Sequence, residues 1–175
     1  MNLVERLQSV IRDVPDFPKE GIIFKDLTPI LLYPDLCQEI VDDMIANLSS
    51  VPDAIVAIES RGFWLAPLLA QKLNIPFIPL RKKGKLPAET VSTTYDLEYG
   101  QATIEIHKGH LPKGAKVMIH DDLLATGGTA LAATRLVEME GASVHSFTFI
   151  VNLDFLKGKE ALTKYNMPIY ASIDY

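Results

Sequence analysis

A chain of 175 residues is long enough for one domain with a substantial core, and 48% apolar with 22% charged residues is an ordinary globular composition. A net charge of −5 argues against a dedicated nucleic-acid surface, and no apolar run approaches the roughly 20 residues of a membrane span. The single cysteine, Cys37, excludes an internal disulfide framework; with residues 1–13 unlike a signal peptide, a reducing, cytoplasmic setting is expected.

Leu3, Leu7, Val10 and Ile11 recur at helical spacing and predict an amphipathic helix over residues 3–13. Two prolines and a glycine between Val14 and Gly21 break it, and Ile22-Ile23-Phe24 reads as a short strand or an extended loop. Leu36, Ile40, Met44, Ile45 and Leu48 mark a second helix, with Cys37 inside it as a small core residue. Ala54-Ile55-Val56-Ala57-Ile58 is a continuous apolar run, the pattern of a strand buried on both faces. Residues 63–73 predict a helix with Pro67 in its first turn, and Phe77-Ile78-Pro79-Leu80 a strand whose proline implies irregular pairing. Arg81-Lys82-Lys83-Gly84-Lys85 is a basic cluster in an acidic chain. After it, residues 95–99 and 102–106 alternate about Gly100 as a hairpin. So long an excursion in a small domain predicts a flexible lid over an active site, here residues 82–105.

Beyond the hairpin come a strand into His120, a helix ending near Gly141, a strand over 146–151, a helix over 155–165 and a strand over 169–173. This alternation predicts an α/β fold: a Rossmann-like, mainly parallel sheet flanked by helices, in one domain spanning residues 1–175. Residues 1–35 fit it poorly and are expected to form a small cap, or hood, over the ligand edge of the sheet.

The most informative segment is Val117-Met118-Ile119-His120-Asp121-Asp122-Leu123-Leu124-Ala125-Thr126-Gly127-Gly128-Thr129-Ala130. A buried strand delivers two adjacent carboxylates, then a small-residue turn, then a helix. In a parallel sheet this junction lies at the carboxyl ends of the strands, where ligands bind. The turn and the helix N-terminus converge N–H groups on one spot suited to a phosphate. Asp121 and Asp122 would repel that phosphate, so they call for a hydrogen-bond donor or a cation: a sugar diol, a Mg²⁺ ion, or both. Together these requirements describe a ribose 5-phosphate. Glu59-Ser60-Arg61-Gly62 follows the buried strand directly and falls on the same edge, where Arg61 suits a di-anion such as pyrophosphate. By contrast, Gly109-His110-Leu111-Pro112-Lys113-Gly114 only begins like a Walker A loop: Ala115 stands where lysine is required, and a strand follows instead of a helix. His107 and His110 lack the spacing and partners of metal ligands.

These segments resemble the type I phosphoribosyltransferases, whose phosphoribosyl-pyrophosphate (PRPP) motif matches Val117 through Ala130. Phe17-Pro18 with Gly21 through Asp26, Glu59 through Phe63, Arg81 through Pro87 and Leu97-Glu98-Tyr99-Gly100 are similar, in the same order, to the adenine-using members. The match spans nearly the whole chain and is weakest after about Asp154. His120 stands where an aliphatic residue is usual, and Lys25 where arginine is common. The resemblance implies that adenine and PRPP give AMP and pyrophosphate with Mg²⁺, held through substrate oxygens and water. Ala125, Thr126, Gly127, Gly128 and Thr129 would hold the 5-phosphate, and Asp121 and Asp122 the ribose hydroxyls. Ser60, Arg61 and Lys85 would hold pyrophosphate. The backbone at Ile23 and Lys25 would read the purine edge, with Phe24 and Leu123 on its faces, and Glu98 would manage a purine proton. The family also implies a homodimer, and a non-proline cis peptide near Ser60–Arg61. Two rivals remain: a transferase for another purine, and a PRPP-sensing transcription regulator, for which this acidic chain shows no helix-turn-helix outside the fold.

Overall fold

The structure is a computed structural model and describes residues 1–97 and 100–175. The repeat of Leu3, Leu7 and Val10 forms α1 (Leu3–Val10). A capping box closes its start: Asn2 Oδ1 accepts from the Glu5 N–H and Glu5 Oε2 from the Asn2 N–H, both at 2.9 Å. The helix stops earlier than its periodicity predicts, because Ile11 is already extended and Arg12–Pro15 is used as a strand. This strand, β1, pairs antiparallel with β2 (Ile23–Asp26). Ion pairs Arg12–Asp26 and Lys25–Asp13, both 2.7 Å, brace this small ribbon.

There follow α2 (Pro34–Ala46), β3 (Ala54–Ile58), α3 (Ala66–Leu73), β4 (Phe77–Lys82), β5 (Thr90–Leu97), β6 (Gly100–His107) and β7 (Lys116–Leu124). The chain ends with α4 (Gly128–Met139), β8 (Ser143–Asn152), α5 (Gly158–Leu162) and β9 (Ile169–Asp174). Seven strands form one sheet in the order β5-β6-β4-β3-β7-β8-β9. From β4 to β9 all neighbours are parallel, and the β5–β6 hairpin is added antiparallel at the β4 edge. Pro79 keeps its register opposite Ala57. The Pro76 and Leu80 carbonyls accept from β3, so alternation turns the Pro79 nitrogen to the other edge, and β6 joins only from Arg81 onward. The helix expected over 155–165 is only α5 between two 3-10 turns, because Lys157 and Asn166 adopt left-handed conformations at either side.

Alternate residues of β3 serve two cores. Ala54, Val56 and Ile58 face α4 and the hairpin, while Ile55 and Ala57 face α1, α2 and α3. Leu7, Ile11, Leu27 and Ile30 belong to the second core beside Ile55 and Met118. Burying four such side chains contributes roughly 6–12 kcal/mol, comparable to the whole stability of a typical domain. The first 35 residues therefore divide: α1 and the turn Thr28–Leu32 are part of the main body, and the β1–β2 ribbon is what projects. Among the described residues no helix is long and apolar enough to cross a membrane.

Candidate active site

From β3 the chain runs next to β4 on one side, and later to β7 on the other. The crevice between β3 and β7 is thus the topological switch point at which open α/β sheets bind ligands. Glu59 through Gly62 leave β3 there, and Asp121 and Asp122 end β7 there. The Glu59–Ser60 peptide is cis, one bond earlier than the Ser60–Arg61 position implied by resemblance. Gly62 then passes against β7 so closely that a Cβ would lie 3.0 Å from Asp121 Oδ1 and 3.1 Å from both Asp121 Cα and the His120 carbonyl oxygen. Only glycine lets these two segments touch.

Charge is concentrated where they meet. Arg61 Nε lies 3.0 Å from Asp122 Oδ2, but its N–H is not aimed at that oxygen, which is buried and accepts no hydrogen bond among the described residues. Asp121 Oδ1 accepts from the Asp122 N–H at 2.9 Å. Burial pushes the Asp121 carboxyl well above the usual range, and the adjacent Asp122 charge acts in the same direction. Burial also raises Asp122, against the pull of Arg61. A cation bound beside the two acids would favour the charged form of both. Burial is the largest influence on Glu59 and raises it, but Arg81 and Lys82 together outweigh it. The Arg81 fork donates at 3.0 and 3.3 Å and the Lys82 N–H at 2.8 Å, holding this carboxyl below its ordinary value. Glu59 thus fixes the start of the basic segment.

Ala125 and Thr126 lead into Gly127, the left-handed N-cap of α4. Neither a capping side chain nor an acidic residue occupies its first turn. The free N–H groups of that turn therefore face the loop, as an anion pocket requires. α5 supports the loop from behind: a Cβ on Gly158 would come within 2.3 Å of the Ala125 carbonyl oxygen. From the front the hairpin leans in, with Thr129 Oγ1 donating to the Tyr95 hydroxyl at 3.3 Å.

The resulting cleft, about 310 Å³, is lined by Glu59, Ser60, Arg61, Asp121, Asp122 and Thr129 together with Lys82, Tyr95 and the apolar Ile58, Ala102 and Ile104. Lys85 is not in the lining. It sits on an exposed turn, where its carbonyl accepts from Arg81 Nη1 at 3.0 Å. At the ribbon, the Arg61 guanidinium stands 5.4 Å over the Phe24 ring, which meets Phe17 edge-on. Ile23 is 60% exposed beside it. The Lys25 side chain turns away, its Nζ 2.7 Å from Asp13 and 3.8 Å from the centre of the Tyr175 ring, so only its backbone is offered to a ligand. Leu123 is half-buried against the second core. Glu98 lies outside the described residues. Sequence reasoning did not find Lys82, Tyr95, Glu59 as an anchor, or Gly158. The Glu59–Arg61 juncture and the basic run holding Lys82 carried a local signal; Tyr95 and Gly158 had none.

A phosphate loop, a paired acid strand end and an arginine turn at one switch point define a phosphoribosyltransferase. The family model described as "Phosphoribosyl transferase domain" matches residues 27–169, and the chain belongs to that family. A curated relative from Cytophaga hutchinsonii, adenine phosphoribosyltransferase, is 48% identical over 99% of this chain and 96% of its own. The crystal structure of adenine phosphoribosyltransferase from Thermoanaerobacter pseudethanolicus superposes with a TM-score of 0.93 at 43% identity, covering 98% of this chain and 99% of that one. The Saccharomyces cerevisiae enzyme, complexed with an imino-altritol bisphosphate and adenine, gives 0.91 at 41% identity, covering 98% of each chain. Within the family, the chain is thus placed among the adenine phosphoribosyltransferases, which are pentosyltransferases.

Proposed function

We infer that this cleft carries out purine salvage, transferring the 5-phosphoribosyl group from PRPP to adenine to give AMP and pyrophosphate. The observation that carries the reading is the Gly62–Asp121 contact, which sets the arginine turn and the acid pair side by side, as one substrate bearing both a ribose and a pyrophosphate requires. Adenine bound to the yeast relative supports the choice of base.

In this reading Ala125 through Thr129 hold the 5-phosphate with backbone N–H groups and hydroxyls, and Asp121 and Asp122 accept from the ribose hydroxyls. As the bond from the anomeric carbon to pyrophosphate breaks, positive charge grows on the sugar and negative charge on the leaving group. The acids stabilise the first and Arg61 the second. Ser60 and Lys85 are assigned to pyrophosphate by resemblance, and Lys82 by its place in the cleft. The purine nitrogen attacks the anomeric carbon and sheds its proton, a role assigned to Glu98. Ile23 and Lys25 read the base through their backbones between Phe24 and Leu123, under the β1–β2 ribbon, and the lid expected over residues 82–105 closes over both substrates.

No cluster of three His, Cys, Asp or Glu able to hold a metal is present among the described residues. Asp122 Oδ2, which accepts no hydrogen bond among the described residues, and the buried acid pair nevertheless fit Mg²⁺ carried on substrate oxygens, which Asp121 and Asp122 would hold through water. Bound there, Mg²⁺ supplies charge neutralisation to the departing pyrophosphate. The reading also includes a cytoplasmic homodimer, for which the exposed run Leu31-Leu32-Tyr33 offers apolar surface. The test is AMP formation from adenine, PRPP and Mg²⁺: turnover with adenine and none with hypoxanthine or guanine is expected. Tight PRPP binding without AMP formation would overturn the reading.

A further inference from the structure

Tyr95 lies on β5 where the hairpin crosses the first turn of α4. Its ring is 3.9 Å from the place a Gly128 Cβ would take, and its hydroxyl accepts from Thr129 Oγ1 at 3.3 Å. It lines the cleft with Asp121, Asp122 and Thr129. It also lines a second groove along the outside of α4 with Gln101, Leu131 and Arg135, so the ring is the partition between the two. A phenol has one proton to donate. Thr129 already fills its acceptor role, and among the described residues the Tyr95 O–H donates to nothing. That proton is therefore uncommitted beside the open N–H groups of the α4 first turn.

We propose that Tyr95 is a further ligand of the 5-phosphate: its hydroxyl, coupled to that of Thr129, donates to the anion and ties the β5–β6 hairpin to the occupied phosphate loop. The inference rests on Ala125 through Thr129 being the 5-phosphate pocket. It explains why an aromatic residue with a polar tip stands at a packed position where phenylalanine would fill the same space. It also gives hairpin closure a driving force that is present only when the phosphate is bound. An anion accepts a stronger hydrogen bond than any neutral partner in the cleft, so the donor engages on binding and is idle without it.

The experiment compares the full chain with Tyr95→Phe, titrating each with ribose 5-phosphate and, separately, with pyrophosphate by calorimetry, with thermal melting as the control on folding. Loss of one charge-assisted donor is expected to weaken ribose 5-phosphate about tenfold. Pyrophosphate affinity should stay within twofold, and the KM for PRPP should rise while the KM for adenine holds. In wild-type protein carrying ring-labelled tyrosine, the resonance that Tyr95→Phe removes should shift with ribose 5-phosphate and not with pyrophosphate, a readout independent of the variant's stability. Equal ribose 5-phosphate affinity in the two proteins overturns the inference, as does equal weakening toward both anions, which would make Tyr95 a general wall of the cleft. A wild-type protein that binds no ribose 5-phosphate and forms no AMP overturns the phosphoribosyl reading itself, a result distinguishable from the other two.

Discussion

Adding one methyl group at Gly62 isolates the contact on which the site is built. Gly62 is not among the positive-φ residues, so alanine meets no backbone obstacle and the perturbation is one of space alone. The new Cβ would lie 3.0 Å from Asp121 Oδ1 and 3.1 Å from two backbone atoms of β7, whereas non-bonded carbon contacts relax near 3.5–4.0 Å. Something must give by roughly half an ångström. It cannot easily be β7, because Ile119 and His120 are paired to β3 on one side and β8 on the other. Overpacking of this kind costs about 1–3 kcal/mol, which in a chain of this size lowers the melting temperature by about 2–12 °C. The displaced partner includes the Asp121 carboxylate proposed to hold the ribose, and a misplacement approaching an ångström lowers turnover about 100-fold. Steady-state AMP formation and thermal melts of Gly62→Ala measure both. Wild-type kcat/KM with an unchanged melting temperature would refute the claim that the two segments are rigidly apposed.

Three further outcomes are expected. Burial and Asp122 raise Asp121 above its ordinary value of 3.8, so folding disfavours its charged form. The stability lost as pH climbs through the raised value is recovered by Asp121→Asn. That variant should melt higher than wild type at pH 8, lose the advantage toward pH 4, and form AMP at least about 100-fold more slowly; a lower melting temperature at pH 8 would contradict the sign. His120 is buried and neutral, its Nδ1 3.1 Å from the Thr148 carbonyl oxygen, and burial holds it at about 4 against 6.5 for a free imidazole. Its contribution, about 3 kcal/mol, is present above pH 6.5 and disappears as pH falls toward 4. Melts of His120→Val across that window should be correspondingly flatter than wild type. Glu59→Gln removes the charge that holds Arg81 and the Lys82 N–H. Because Arg81 is partly exposed, melting should fall by no more than about 3 °C, while the KM for PRPP rises several-fold. An unchanged KM would separate Glu59 from the cleft.

What the sequence revealed depended on how local its cause was. Ala54–Ile58 announced a doubly covered strand because all five side chains are buried, and the Gly127-Gly128 turn marked its helix start because the phosphate loop and the cap are consecutive residues. The β1 strand was concealed because Ile11 extends the helical period of α1 by one residue. Its partner β2 lies beyond a turn containing Pro18 and Gly21, and no short-range pattern reports that pairing. Tyr95 and Thr129 are 34 residues apart, so only the folded hairpin brings their hydroxyls together. Lys82 and Lys85 are indistinguishable as charges in a basic run. The strand continues through Lys82 and then turns, which places one in the cleft and the other on the surface.

Among the described residues the hairpin joins β4 through two residue pairs, Arg81 with Glu105 and Lys82 with Ile104, and the Lys83 N–H adds a bond to the Thr103 carbonyl, although β5 and β6 pair along their described length. It is a cantilever. Ile104 and Ile106 are sunk in the core at the clamped end, whereas Gly100 and Gln101 at the other end are exposed. At about 3.3 Å per residue, a rocking of roughly ten degrees at the clamp carries the Gly100 end by about 3 Å. The lever is set by Glu105, a buried carboxylate that accepts from the Gly84 N–H at 2.8 Å and the Thr90 hydroxyl at 3.3 Å. A residue that lines no part of the cleft thereby fixes where the opposite end of the hairpin comes down.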